Sequence, residues 1–149
     1  MHRAFPIIGL LTLVLPGAVL AQSDRDAVLS QLDVVRDKSA ESGWRVASNT
    51  LGGGTVVGQL SNAGTVVLEL NLTSGMQNMV DAGCDNDCSD LDLRVYTGDG
   101  NTLITEDVAD DDVPLVTFTP SASGRYLLLI SMPKCSTPVC WFGFRVYEK

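Results

Sequence analysis

Frequent turn-forming clusters after Trp44 restrict the fold of this chain more than any other feature. Glycine, asparagine, aspartate and serine recur there at short intervals, and the segments between them alternate apolar and polar residues. Turn-forming clusters at such short intervals predict many short strands joined by turns. The breaks lie at residues 52–54, 61–64, 73–75, 98–101 and 121–123.

The segments between these breaks predict nine strands, with no helix among them. They lie at residues 44–48, 55–60, 65–72, 76–82, 91–97, 102–106, 115–119, 124–132 and 141–147. From Asp90 to Tyr96, leucine and valine side chains share one face of the strand, while the polar side chains share the other. Short strands without intervening helices predict an all-β fold, an antiparallel β-sandwich.

Residues 1–21 have the features of a leader sequence, which predicts that the protein is exported. Arg3 precedes an apolar stretch over residues 5–20, and small or compact residues stand before a predicted cleavage position after Ala21. This order is typical of a secretory signal peptide. A membrane anchor is the alternative, but the stretch contains Pro16 and is short for a bilayer, which needs about 20 apolar residues. We expect a secreted or periplasmic protein, with no membrane insertion once residues 1–21 are removed.

Residues 22–43 predict one helix before the strands. Ser23 is suited to cap its N-terminus, Val28 and Leu32 belong to a narrow apolar stripe, and Gly43 is suited to end it. A capping helix or spacer is the favoured interpretation, and a partner-binding helix is the alternative. The strands then form a single domain over residues 44–149.

The charges and the histidine content exclude several functions. The chain carries 10 basic and 18 acidic side chains, and its only histidine is His2. Cleavage after Ala21 would leave 9 basic and 18 acidic side chains and no histidine. This excludes Ser-His-Asp catalysis, Cys-His catalysis and imidazole ligation of metals in the mature chain. The negative charge also argues against nucleic acid or an anionic membrane surface as a partner.

Four cysteines lie after the leader, and an oxidising compartment favours two disulfides. Three pairings are open in principle. Local pairs are favoured because each brackets a short polar loop: Cys84 with Cys88, and Cys135 with Cys140. The alternative is a tetrahedral zinc site with four thiolate ligands, which the exported location disfavours.

Eleven acidic residues, opposed only by Arg94, lie between Asp81 and Asp112. They concentrate in two clusters, at residues 84–92 and 106–112. Crowded carboxylates repel, and a divalent cation relieves the repulsion; Ca²⁺ suits loop-borne aspartates and takes about six to eight oxygen ligands. The spacing is not that of an EF-hand. One alternative is that these are ordinary solvated loop acids, and another is a carboxylate pair for glycoside hydrolysis.

Three short motifs resemble the bacterial pre-peptidase C-terminal domain. They are Ser-Asp-Leu-Asp-Leu-Arg-Val-Tyr at residues 89–96, Gly-Asp-Gly-Asn at 98–101 and Ser-Gly-Arg-Tyr at 123–126. The resemblance covers residues 55–147 and implies a jelly-roll-like β-sandwich without catalysis of its own, which accompanies secreted enzymes. In some relatives this domain binds calcium or extracellular polymers such as collagen.

The chain also resembles stand-alone secreted relatives that carry Cys-Asp-x-Asp-Cys before the Asp-Leu-Asp-Leu strand and a second cysteine pair near the end. The resemblance implies calcium ligands from Asp85, Asp87, Asp90 and Asp92, with help from Asp110, Asp111 and Asp112.

The sequence therefore predicts a non-enzymatic binding or accessory protein with an extracellular protein or polymer as its partner. Calcium is the predicted cofactor, at the acidic edge of the sandwich. The alternatives are a metal-free, disulfide-stabilised structural protein and a carboxylate-dependent glycan hydrolase.

Overall fold

The computed structural model describes residues 16–48 and 51–149. Residues 1–15 of the predicted signal peptide lie outside this range, so export stays a prediction. None of the helices in the described residues has the length and apolarity needed to cross a membrane.

One helix precedes nine strands in the described part of the chain. The helix is α1 (Pro16–Glu41), and a short 3-10 turn (Leu51–Gly54) leads into β2. The strands are β1 (Arg45–Val46), β2 (Thr55–Ser61), β3 (Gly64–Leu72), β4 (Asn78–Cys84), β5 (Cys88–Thr97), β6 (Leu103–Asp107), β7 (Leu115–Phe118), β8 (Gly124–Cys135) and β9 (Val139–Glu148).

The strands form two antiparallel sheets with a jelly-roll topology. Sheet A has the order β2-β9-β4-β7, with β1 paired to the C-terminal end of β9, and sheet B has the order β3-β8-β5-β6. Apart from the β5–β6 pair, each consecutive strand from β2 to β9 changes sheet. Eight strands in two such sheets make a jelly roll, which confirms the predicted all-β sandwich.

All nine predicted strands are present, but four of them extend further toward the cysteines. β4 ends at Cys84 instead of residue 82, β5 begins at Cys88 instead of residue 91, β8 ends at Cys135 instead of residue 132, and β9 begins at Val139 instead of residue 141. Cys88 and Cys135 are partners in the β5–β8 ladder. Because the strands continue to the disulfides, the connecting loops are shorter than the sequence pattern indicates.

The predicted start of the helix was wrong. The helix begins at Pro16 and not at residue 22, so Ser23 lies inside it and does not cap it. Alanine, valine and leucine continue the helix on the N-terminal side, and proline is well tolerated at a first helical position. The helix therefore spans the predicted cleavage position after Ala21.

The helix covers one of the two outer faces of the sandwich. α1 packs against β9 and β4 of sheet A through Val28 and Leu32, which are buried. A Cβ atom on Gly143 of β9 would lie 2.8 Å from Val28 Cγ1 and 3.1 Å from Leu32 Cδ1, so the missing side chain lets the helix approach closely. Sheet A is thus covered on both faces.

Side chains of both sheets meet in a shared hydrophobic core. Val80 and Phe144 enter it from sheet A, and Leu93, Leu128 and Ile130 enter it from sheet B. On β8 these core residues alternate with Leu127 and Leu129, which are half-buried on the opposite face. Sheet B therefore keeps an outer face that α1 does not cover.

Candidate functional site

Two short crossovers connect the sheets at the same end of the sandwich. Residues 85–87 lead from β4 to β5, and residues 136–138 lead from β8 to β9. Disulfides Cys84–Cys88 and Cys135–Cys140 close the two crossovers. The local pairing is confirmed, and the zinc alternative was wrong because every cysteine is oxidised.

Asp85 joins one crossover to the other. Its side chain is buried, with 3% of the residue exposed. One carboxylate oxygen accepts the Trp141 N–H at 2.6 Å, and the other accepts the Asp87 N–H at 3.2 Å. The Asp85 N–H in turn donates to the Trp141 carbonyl at 3.0 Å, and the Ser136 N–H donates to the Asp87 carbonyl at 2.8 Å.

These contacts give Asp85 a structural role. Burial raises the pKa of its carboxyl, and the N–H groups of Trp141 and Asp87 oppose that rise. Both oxygens already accept hydrogen bonds from this chain.

Lys134 lies between two of the predicted calcium ligands. Its Nζ is 2.6 Å from Asp110 Oδ1 and 3.8 Å from Asp90 Oδ2. Asp90 belongs to the start of β5, where it is the ladder partner of Lys134. Burial raises the pKa of Asp90, and the carboxylates of Asp110 and Asp92 raise it further. The acidic clusters thus meet at one edge, with an ammonium group between them.

The remaining predicted ligands have other partners. Asp92 Oδ2 is 3.3 Å from Arg94 Nη1. Asp111 accepts the Leu91 N–H through its carbonyl at 2.9 Å and the Val113 N–H through its side chain at 3.1 Å. Asp112 accepts the amide of Gln31 in α1 at 3.1 Å. Asp87 is exposed in the first crossover.

The seven aspartates therefore do not form one ligand cage. Asp90 and Asp110 come together, whereas Asp85 is engaged by backbone N–H groups. Among residues 16–48 and 51–149, no group of three or more histidine, cysteine or acidic side chains is arranged to hold a metal ion. Calcium binding stays a prediction, and in this arrangement the ion would have to displace the ammonium of Lys134.

The outer face of sheet B carries a band of apolar side chains across its four strands. Ladder partners place Leu127 beside Tyr96, Leu129 beside Val67, and Tyr96 beside Leu103. Val67 is 53% exposed and Leu103 is 42% exposed. We call the side chains of Val67, Tyr96, Leu103, Leu127 and Leu129 the apolar band.

A shallow groove lies within this band. It has a volume of about 260 Å³, and Gly100 completes its lining beside Val67, Tyr96, Leu127 and Leu129. A second, more polar pocket of about 210 Å³ lies near the same end of the sheet, lined by Thr97, Gly98 and residues 121–126. Because sheet A is covered by α1, the groove makes the outer face of sheet B the candidate binding site.

Ion pairs surround the apolar band. Arg94 Nε is 3.0 Å from Glu106 Oε2, and Arg125 Nη1 is 2.9 Å from Glu69 Oε1. Along β5 the side chains of Asp90, Asp92, Arg94 and Tyr96 follow one another on this side of the sheet. Arg94 and Tyr96 are half-buried, whereas Asp90 and Asp92 are only 7% and 8% exposed. The face is thus apolar toward one end of β5 and acidic toward the other.

Sequence reasoning missed a buried polar layer between α1 and sheet A. Arg145 on β9 is buried, with Nη2 2.6 Å from Asp33 Oδ1 of the helix and Nε 3.0 Å from Thr55 Oγ1. Its ladder partner Asp81 is fully buried and accepts the Tyr147 hydroxyl at 3.3 Å. The alternation on β4 and β9 places these polar residues on the helix side, but only the packing of α1 makes them buried.

This layer contains polar atoms without partners. In the described part of the chain, Gln31 Oε1, Asp81 Oδ1 and Arg145 Nη1 are buried without a hydrogen bond. Burial raises the pKa of Asp81 to about 7, although Tyr147 and Arg145 oppose the rise. Burial also raises the pKa of Tyr147 above its usual range. These buried polar groups therefore reduce the stability that the packing of α1 on sheet A would otherwise give.

The solved structures that are similar to this chain include the following two. The pre-peptidase C-terminal domain of a collagenase from Bacillus anthracis has a TM-score of 0.50 at 14% identity, over 62% of this chain and 86% of that one. This chain has a pre-peptidase C-terminal-like β-sandwich fold. CorA, a surface-associated copper-binding protein of Methylomicrobium album BG8, has a TM-score of 0.52 at 8% identity, over 65% of this chain and 94% of that one.

At these identities the likeness establishes the fold, and the resemblance predicted from the motifs is confirmed at that level. No family model and no curated protein matches the chain.

The contacts of Asp85 predict that its truncation destabilises the protein. Asp85→Ala removes a buried acceptor from two backbone N–H groups, and we expect a loss of about 2–3 kcal/mol in the free energy of unfolding. Urea unfolding measures it. Asp87→Ala is the matched control, since that side chain is exposed in the same crossover. Equal losses in the two variants would contradict the structural role of Asp85.

The raised pKa of Asp81 predicts that the stability of the folded protein depends on pH. The unfolded carboxyl ionises near 3.8, whereas the folded one keeps its proton to about pH 7. The stability associated with this group is therefore full below about pH 4 and falls as the pH rises through about 7, by about 4 kcal/mol at most. Asp81→Asn should remove this decline.

Urea unfolding of both proteins from pH 4 to pH 8 isolates the contribution of Asp81, because the other titrating groups are common to both. We expect the stability of the variant relative to the unsubstituted protein to increase with pH. Parallel stability profiles would show that the pKa of Asp81 is the same in the folded and the unfolded protein, which would contradict the prediction.

Proposed function

We propose that this chain is an exported, non-enzymatic binding or accessory protein that contacts an extracellular partner through the outer face of sheet B. The observation that carries the proposal is the difference between the two outer faces. α1 covers sheet A, whereas sheet B presents the apolar band and its groove to solvent. Apolar patches of this kind on an otherwise charged protein mark interaction sites.

The arrangement of the acids supports a non-enzymatic role. A glycan hydrolase needs one carboxyl that donates a proton and one that acts as base or nucleophile at an open cleft. Asp81, whose pKa is raised to about 7, is buried beneath α1. Asp90 and Asp110 share the ammonium of Lys134. The predicted mature chain also lacks histidine.

The two disulfides support a secreted or periplasmic location. Disulfides persist in oxidising compartments and are rare in the cytosol. They agree with the predicted leader at residues 1–21.

Site-specific photo-crosslinking tests the binding face in the organism that exports the protein. A photoreactive amino acid replaces either Val67 on β3 or Val139 on β9, which are exposed to similar extents, 53% and 46%. We expect position 67 to give a discrete cross-linked product and position 139 to give none. Products of equal yield at both positions would contradict a working face on sheet B.

Calcium at the acidic edge is a second candidate function, favoured by the excess of acids around Lys134. The single ammonium faces Asp90 and Asp110, and Asp92 and Asp111 add negative charge nearby. A divalent cation that displaced Lys134 would neutralise more of this charge.

Thermal melting in calcium and in chelator tests this prediction. Calcium at 100 times its dissociation constant should stabilise the folded protein by about 2.7 kcal/mol. Lys134→Met removes the competing ammonium, so we expect a larger calcium-dependent shift in that variant. Melting temperatures that do not respond to calcium in either protein would overturn the prediction and leave the binding face on sheet B unaffected.

A further inference from the structure

We propose that the outer face of sheet B docks a protein segment whose aliphatic side chains lie beside lysine or arginine side chains. The aliphatic side chains occupy the apolar band, and the cations face the acidic end of the same sheet, which we define as Asp90, Asp92 and Asp110. This inference rests on the proposed binding function and specifies the chemistry of the partner.

The register of sheet B forms the apolar surface on which the aliphatic side chains of the partner would pack. Leu129 lies between Val67 on β3 and Arg94 on β5, and the next outward row contains Leu127 and Tyr96. The band therefore crosses neighbouring strands instead of following one strand. Its exposed aliphatic surface gains stability when it leaves water, which favours an apolar segment laid on it.

The excess of acidic over basic side chains on the same face would attract the cations of the partner. Each of its cations already has an acidic partner in this chain: Arg94 has Glu106, Arg125 has Glu69, and Lys134 has Asp110. Asp90 and Asp92 are largely buried beside Lys134 and Arg94, at 3.8 Å and 3.3 Å, and Asp110 is the exposed member of the acidic end. With these two carboxylates, five acids stand against three cations, so the face is negative. A cationic partner is attracted to such a surface, and an anionic one is repelled.

The distance between the two regions sets the length of the segment. Tyr96 and Asp90 are six residues apart on β5, which corresponds to about 20 Å at the usual rise of a strand. An extended segment of about seven residues therefore spans both the apolar band and the acidic end.

Aliphatic lining favours a protein segment over a glycan. Tyr96 is the one aromatic ring among the residues that line the groove, and the others are Val67, Leu127, Leu129 and Gly100. Sugar rings bind best on flat aromatic surfaces, whereas branched aliphatic side chains pack well against other aliphatic side chains.

Fluorescence anisotropy with synthetic peptides tests the proposal on the intact protein without its leader. One labelled peptide carries a leucine block followed by a lysine block. A second carries glutamate in place of lysine, and a third carries serine in place of leucine. We expect the leucine–lysine peptide to bind at least about tenfold more tightly than either of the others.

Two variants on the proposed face and one control variant on sheet A locate the binding. Val67→Glu should weaken binding of the leucine–lysine peptide about tenfold, whereas Val139→Glu, at a similarly exposed position on sheet A, should leave it unchanged. Asp110→Asn should weaken it several-fold, and it should not weaken binding of the glutamate-containing peptide, which has no lysine to face Asp110. Asp110 is exposed, so this substitution leaves the core intact.

Several outcomes overturn the inference. They are the absence of leucine–lysine peptide binding at about 1 mM, equal binding of the glutamate peptide, and equal losses in the Val67 and Val139 variants. Binding of a soluble oligosaccharide that Val67→Glu abolishes, without peptide binding, would assign the face to a glycan. That result would overturn the inference and support the proposed function.

Discussion

The connection between the two crossovers is the interaction on which the rest of the structure depends. A disulfide closes each of the two crossovers between the sheets. The carboxylate of Asp85 in one crossover accepts the N–H of Trp141, which lies just after the other crossover. This places the start of β5 beside the end of β8, with Cys88 opposite Cys135. The same register positions Tyr96 beside Leu127, and a local irregularity in the ladder places Asp90 beside Lys134. The acidic end and the apolar band of sheet B thus follow from one constraint.

A second constraint on the structure is that α1 covers the outer face of sheet A and leaves the outer face of sheet B uncovered. α1 packs closely on sheet A because Gly143 offers no side chain to Val28 and Leu32. That cover buries Asp81 and Arg145, whose unpartnered atoms reduce the stability gained from packing the helix. Sheet B has no such cover, and its apolar side chains remain available for a partner. The binding proposal is therefore a consequence of where the helix lies.

Much of the fold was predictable because strand periodicity and turn residues are local signals. The nine strands and the local cysteine pairs are examples, since each depends on residues close together in sequence. The site was less predictable. The aspartate-rich motif around Asp85 indicated calcium ligation, but that carboxylate accepts the N–H of Trp141, which is distant in sequence. Likewise, no local pattern indicated that Lys134 lies between Asp90 and Asp110.

By itself, the sequence determined the strands and the excess of negative charge between Asp81 and Asp112, and it favoured the two local cysteine pairs. The tertiary structure alone decided which sheet the helix covers, which acids are neutralised by cations of this chain, and which apolar side chains remain exposed. The physical reason is that periodicity assigns a side chain to one face of a strand, whereas burial and ion pairing depend on what packs against that face.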